Sequence, residues 1–210
     1  PSGVCPLRKT AAYQSAVTVK KKATEQNHLT LAFPGLPYGH EGRFALQLLS
    51  AILGGGMSSR LWQEVREKRG LCYSVYSYGA GHAETGLFAV YTALGKDMER
   101  EALNTIATVV KDFADRGVTQ AELDRAREQS KANVLMGLES TQARMSNLGR
   151  SELLTGFVLE PDGIIAAYDT VTVEDVRRLA GAMFDFSRAS LSAVGRVGTA
   201  EEYRAYLDGR

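Results

Sequence analysis

The sequence predicts an α+β domain in which helices pack on one side of an antiparallel sheet. Two observations carry that prediction. Strand-like segments and long amphipathic helices come in the order strands, helices, a hairpin, a run of helices and a last strand. They do not alternate in the manner of a doubly wound sheet. At 210 residues with 44% apolar side chains the chain can bury a substantial core. It contains neither an internal repeat nor a low-complexity linker, so one domain over residues 1–210 is expected.

Residues 15–20 and 28–33 are rich in strand formers, with a polar stretch between them and Pro34-Gly35 closing the second. Over residues 41–53, Phe44, Ala45, Leu48, Leu49 and Ile52 recur at helical spacing until Gly54, Gly55 and Gly56 stop the pattern. A second helix is expected from Ser58 or Ser59, whose hydroxyls suit an N-cap, to about Lys68, with Gly70 as C-cap and Leu61, Trp62 and Val65 buried. Residues 71–78 and 86–94 read as an antiparallel hairpin, with Leu71, Tyr73 and Val75 on one face. Leu103, Ile106, Val110 and Phe113 define a helix over 97–116 that Gly117 ends. Thr119 with Glu122, and Thr172 with Asp175, have capping-box spacing and open helices to about Leu138 and Met183. A further helix over 141–154, a last strand over 189–194 and a short helix over 201–207 complete the reading.

Composition narrows the function classes. The 25 Lys and Arg balance 24 Asp and Glu to a net charge of +1, which gives no electrostatic footprint for a nucleic acid. No apolar run reaches the length of a membrane span, and the start shows no signal-peptide pattern. Two cysteines, Cys5 and Cys72, are too few for a disulfide framework and fit a reducing, cytoplasmic setting. The start at Pro1-Ser2-Gly3 without Met suggests a processed product or a piece of a longer chain.

The most informative stretch is residues 53–75, LGGGMSSRLWQEVREKRGLCYSV: a glycine turn, a short helix and a descent into a strand. Arg66 and Tyr73, seven residues apart across the cap, can converge on one side of a cleft and offer donors to a peptide carbonyl or an oxyanion. The alternative from the same residues is plainer. Arg66, Lys68 and Arg69 complement the helix dipole, and Tyr73 packs in the core.

The block GGGMSSRLWQEVREKRGLCYSVYSY, preceded by EQNHLTLAFPG and followed by GLFAVYTAL, resembles the C-terminal half-domain of the inverzincin peptidases. That group includes the mitochondrial processing peptidase, pitrilysin and insulinase, and the likeness is strongest to their bacterial processing-protease relatives. The resemblance implies two homologous α+β halves facing each other across a cavity, with zinc in the N-terminal half. It implies substrate-binding roles for Arg66 and Tyr73 and a cavity position for Gly54, Gly55 and Gly56. The family's zinc motif, H-x-x-E-H, does not occur here: His28, His40 and His82 stand apart, and neither Glu41 nor Glu84 has the required neighbours. No metal, no cofactor and no catalytic residue is therefore expected in this chain. The Gly triplet lacks the Lys of a phosphate loop, and Cys72 lacks a nearby His to activate it.

Three readings of function follow. The chain is the substrate-binding half of a zinc metalloendopeptidase, with a zinc-bearing half, fused or separate, and a peptide substrate as partners. Alternatively it is a catalytically silent scaffold, or a module that holds an extended peptide against an exposed sheet edge. Separated from its partner, it is expected to pair with a copy of itself.

Overall fold

The computed structural model of the chain describes residues 11–209; Cys5 and the Pro1-Ser2-Gly3 start lie outside that range. Its centre is a five-stranded sheet in the order β1-β5-β2-β4-β3. The strands are β1 (Val17–Lys21), β2 (Asn27–Gly35), β3 (Ser74–Gly81), β4 (Gly86–Leu94) and β5 (Ser190–Gly195). Four strands are joined antiparallel, while β1 runs parallel to β5 at one edge, so the sheet is mixed rather than purely antiparallel as expected. The parallel pair joins strands far apart in the chain, and local patterning cannot signal such a pairing.

The register separates the two faces. One row across the sheet is Val75, Thr92, Leu29, Ala193 and Val19, and from Val75 to Ala193 it is buried. The adjacent row on the opposite face is Tyr76, Tyr91, Thr30, Ser192 and Thr18, a hydroxyl-bearing set that no helix shields completely. Period-two alternation along each strand therefore directs one face to the helices and leaves the other open.

The helices are α1 (Arg43–Gly54), α2 (Glu99–Arg116), α3 (Gln120–Gly137), α4 (Thr141–Thr155), α5 (Pro161–Thr170), α6 (Val173–Met183) and α7 (Ala200–Leu207). The sequence reading passes over α5, which Pro161 opens in its first turn, where its fixed φ and missing N–H cost nothing. α1 and α2 each present one apolar stripe to the sheet, through Leu48, Leu49 and Ile52 and through Ile106, Val110 and Phe113. Phe184, just past α6, is the hub of the core: its ring meets Phe33 at 5.2 Å, Phe88 at 5.4 Å and Phe113 at 6.2 Å, all edge-on. Each such pair contributes about 0.5–1.5 kcal/mol beyond area burial.

Both expected capping boxes form, Thr119 with Glu122 and Thr172 with Asp175, and a third at Thr199 with Glu202 opens α7. α7 is fastened by its tyrosines: the Tyr203 hydroxyl donates to Glu99 and the Tyr206 hydroxyl to the Leu103 carbonyl. α4 differs from every other long helix, because Ser151 is its sole buried residue.

Candidate functional site

The candidate site is built on the segment between α1 and β3. Gly54 ends α1 directly against β3, where an added Cβ would stand 2.4 Å from the Ser77 amide nitrogen. The Ser77 hydroxyl donates to the Ser50 carbonyl at 3.0 Å and pins the helix end to the strand. The triplet is thus not a uniformly flexible turn. Gly54 is required by close approach, Gly55 is crowded by Ala51, and only Gly56 stands free. The Ser59 hydroxyl donates back to the Gly56 carbonyl at 2.6 Å and caps no helix, contrary to the N-cap expected there.

The expected second helix is a π-helical turn over Trp62–Glu67. Leu61 and Val65 are its buried anchors, while Trp62 is only half-buried. Gly70, with φ +62°, then reverses the chain as the expected C-cap, its N–H bonding the Arg66 carbonyl at 2.9 Å. This reversal brings Tyr73 back alongside Arg66. The Arg66 guanidinium lies 4.0 Å from the Trp62 ring centroid and 5.6 Å from that of Tyr73, so it is held between two aromatic rings.

The neighbouring cations are engaged elsewhere. Glu64 accepts from Lys68 at 2.5 Å and from Arg69 at 2.6 Å, and these two bonds hold its carboxyl below the usual carboxylate range. Arg66 forms no ion pair among the described residues. Tyr73 is 70% exposed, which removes the core-packing alternative for it. It also departs from the expected face: Leu71 and Val75 are buried, Tyr73 is not, because regular strand geometry begins only at Ser74. Cys72 is buried as expected, and burial pushes its thiol up from the ordinary value.

Two supports escaped the sequence reading. Trp62 stacks on Arg66, a contact that spacing four apart on a helical turn could have suggested. Arg60 grips Glu122 through two bonds of 2.8 and 2.9 Å and the Gly117 carbonyl at 2.9 Å, tying the start of the π-helical turn to the α2–α3 corner. No local signal joins residues so far apart in sequence.

His28 bonds the Tyr91 hydroxyl at 2.7 Å, His40 accepts from the Gly42 amide at 2.9 Å, and His82 is exposed in the β3–β4 turn. Among the described residues no group of three or more His, Cys, Asp and Glu side chains could hold a metal ion, so the donor set here does not fit zinc. No helix among the described residues is long and apolar enough to cross a membrane.

Residues 5–130 match the family model described as the peptidase M16 inactive domain. The chain belongs to that family. This M16 inactive domain is 42% identical over 188 residues to an uncharacterized zinc protease of Streptomyces coelicolor, covering 90% of the chain and 41% of that relative. It is 40% identical over 180 residues to the uncharacterized zinc protease YmxG of Bacillus subtilis, covering 85% of the chain and 44% of the relative. The chain thus spans less than half the length of these curated relatives. Among solved structures, the peptidase M16 inactive domain from Pseudomonas fluorescens superposes with a TM-score of 0.78 at 24% identity, over 89% of this chain and 45% of that one. A chain of complex III2 from Candida albicans superposes at 0.84 and 17% identity, over 98% of this chain and 52% of that one. At these identities the two structures establish the shared fold.

Proposed function

We propose that residues 1–210 form the substrate-binding C-terminal half of a cytoplasmic zinc metalloendopeptidase that hydrolyses peptide bonds only with a homologous, zinc-bearing half, fused or separate. The observation that carries this reading is the convergence of Arg66 and Tyr73: an arginine with no ion pair among the described residues, stacked between two rings, beside an exposed phenol. Neither side chain donates a hydrogen bond to another described residue, so both keep their donors for a ligand. A peptide carbonyl laid against them would accept from the guanidinium and the phenol. Those contacts shorten as the oxygen gains negative charge, which is the condition for lowering a barrier rather than merely binding. Gly54 and Gly55 hold the neighbouring backbone in place, and Gly56 leaves room beside it.

The exposed α4 supports a partner half. Met145, Leu148, Leu153 and Phe157 are exposed on or just beyond it, and the chain's relatives carry at least as much sequence again. The scaffold reading retains one supporting observation, since the stacking of Arg66 on Trp62 at 4.0 Å is also a packing contact.

The test is reconstitution with a homologous half that carries H-x-x-E-H. Turnover is expected in the mixture and not with this chain alone. Arg66→Ala and Tyr73→Phe are each expected to lower kcat by about 10²-fold or more, with pairing of the halves intact. Unchanged turnover in both variants would reduce the pair to packing and favour the scaffold.

A further inference from the structure

α4 is a self-contained helix set between elements that are fastened to one another. α3 and α5 are tied by Arg127, which donates to the Tyr168 carbonyl at 3.1 Å and the Val171 carbonyl at 2.8 Å, and by Lys131, which lies 2.5 Å from Asp169. The Tyr168 hydroxyl donates to Gln47 and so adds α1 to the same group. α4 shares none of these bonds. At its start the Ser140 hydroxyl accepts from the Ala143 amide at 3.2 Å, and at its end the Gly156 amide donates to the Glu152 carbonyl at 2.9 Å. Both ends are thus capped from within the segment.

Among the described residues, one hydrogen bond joins α4 to anything outside 140–157, that between the Ser151 and Tyr38 hydroxyls, 3.4 Å apart. The Arg150 guanidinium meets the same side chain, 5.3 Å from the Tyr38 ring. Tyr38 is itself fixed, because its amide donates to the His82 carbonyl at 2.8 Å. Elsewhere α4 borders open space. A groove of about 700 Å³ is lined by Asn147 and Arg150 of α4 and by Gln47 and Ser50 of α1. A second, of about 270 Å³, is lined by Ala143 and Leu148 of α4 and by Leu159 and Ile164. The backbone at either end is unobstructed: Gly156 has φ +66°, and an added Cβ at Gly137 or Gly156 would meet nothing within 4 Å.

We propose that α4 is a hinged lid: it swings as an intact helix about Gly137 and Gly156, Tyr38 is the latch that holds it down, and its movement opens and closes the larger groove. A few residues at the ends of an element absorb such a rotation while packed neighbours stay still. Since Ser151 is the sole buried residue of α4, releasing the helix costs far less than unfolding the domain. The inference does not rest on Arg66 and Tyr73, which take no part in it.

The experiment measures distances by pulsed electron spin resonance in the full chain with Cys5→Ser and Cys72→Ala. One pair of labels is at Ser146→Cys on α4 and Asp115→Cys on α2, and a control pair is at Asp115→Cys and Ala166→Cys on α5, all exposed positions. An excess of unlabelled chain restricts the reading to distances within one molecule. The α4 pair is expected to give two resolved distances, one matching the structure, and the control pair a single one. R150A/S151A removes the latch contacts from the helix side and should deplete the distance that matches the structure about threefold or more. A single narrow distance for the α4 pair overturns the lid. A broad, featureless distribution means that the helix melts rather than swings and overturns the hinge, while unchanged populations in R150A/S151A overturn the latch. Access is read separately with Ser50→Cys, on the wall of the larger groove. A bulky maleimide should modify it about threefold faster or more in R150A/S151A, and an equal rate overturns the opening and closing of the groove.

Discussion

An alanine at position 54 would press its methyl group against the backbone of β3, since its Cβ would lie 2.4 Å from the Ser77 nitrogen and 2.7 Å from the Ser77 hydroxyl. The hydroxyl could rotate aside, but the nitrogen belongs to the backbone, so the helix must shift. Gly54→Ala is expected to cost about 1–3 kcal/mol in urea unfolding, whereas Gly56→Ala, with nothing within 4 Å, should be close to neutral. The same distinction shows what the sequence could and could not reveal. A run of three glycines announces a turn, but only tertiary contact says which glycine is indispensable. Arg66 and Tyr73 were legible as a pair because a cap at Gly70 fixes how the chain returns. The exposure of Tyr73 was not legible, because alternation holds only once a strand has begun, and β3 begins one residue later.

Between elements, the Arg60 to Glu122 clamp does what capping alone does not. Glu122 satisfies its own helix start through Thr119 and simultaneously receives the fork of Arg60, which also lies 4.8 Å from the Phe113 ring. The Arg60 bonds, with those from Thr119, lower the Glu122 carboxyl from 4.5 to about 2. A folded value below the unfolded one means that the stabilisation is complete above about pH 4.5 and is lost as pH falls toward 2. Glu122→Gln is expected to cost about 1–3 kcal/mol at pH 7, toward the low end because the pair is partly solvated, and to lose that difference near pH 2. Thermal melts of both proteins at the two pH values measure it. Each half of the clamp was visible separately, Glu122 as a capping residue and Arg60 as one cation among many. The π-helical turn was invisible, because its apolar spacing is the same as that of an ordinary short helix.

At the scale of the molecule, α4 is a helix without a bed. Fifteen residues that bury only Ser151 are too few to be stable by propensity, so the helix depends on what covers Met145, Leu148 and Leu153. In the proposed two-half peptidase, the zinc-bearing half would supply that cover. Alone, the chain is expected to self-associate, and sedimentation should show a concentration-dependent dimer that Leu148→Glu with Leu153→Glu shifts to monomer. A strict monomer of the unaltered chain at high concentration would remove this prediction. The α+β architecture was readable from the element order, whereas the parallel β1–β5 pair was not, since the whole of the domain's other strands and most of its helices lie between them in sequence. That pairing bears on biosynthesis. Among the described residues, β5 is the only sheet neighbour of β1 and one of two neighbours of β2. A nascent chain can therefore zip β2, β3 and β4 together while its β1 segment waits, unpaired, for residues 190–195 to leave the ribosome. Until they do, one side of β2 stays open to any passing strand, and the arrival of β5 decides whether the sheet closes on itself or on a neighbour.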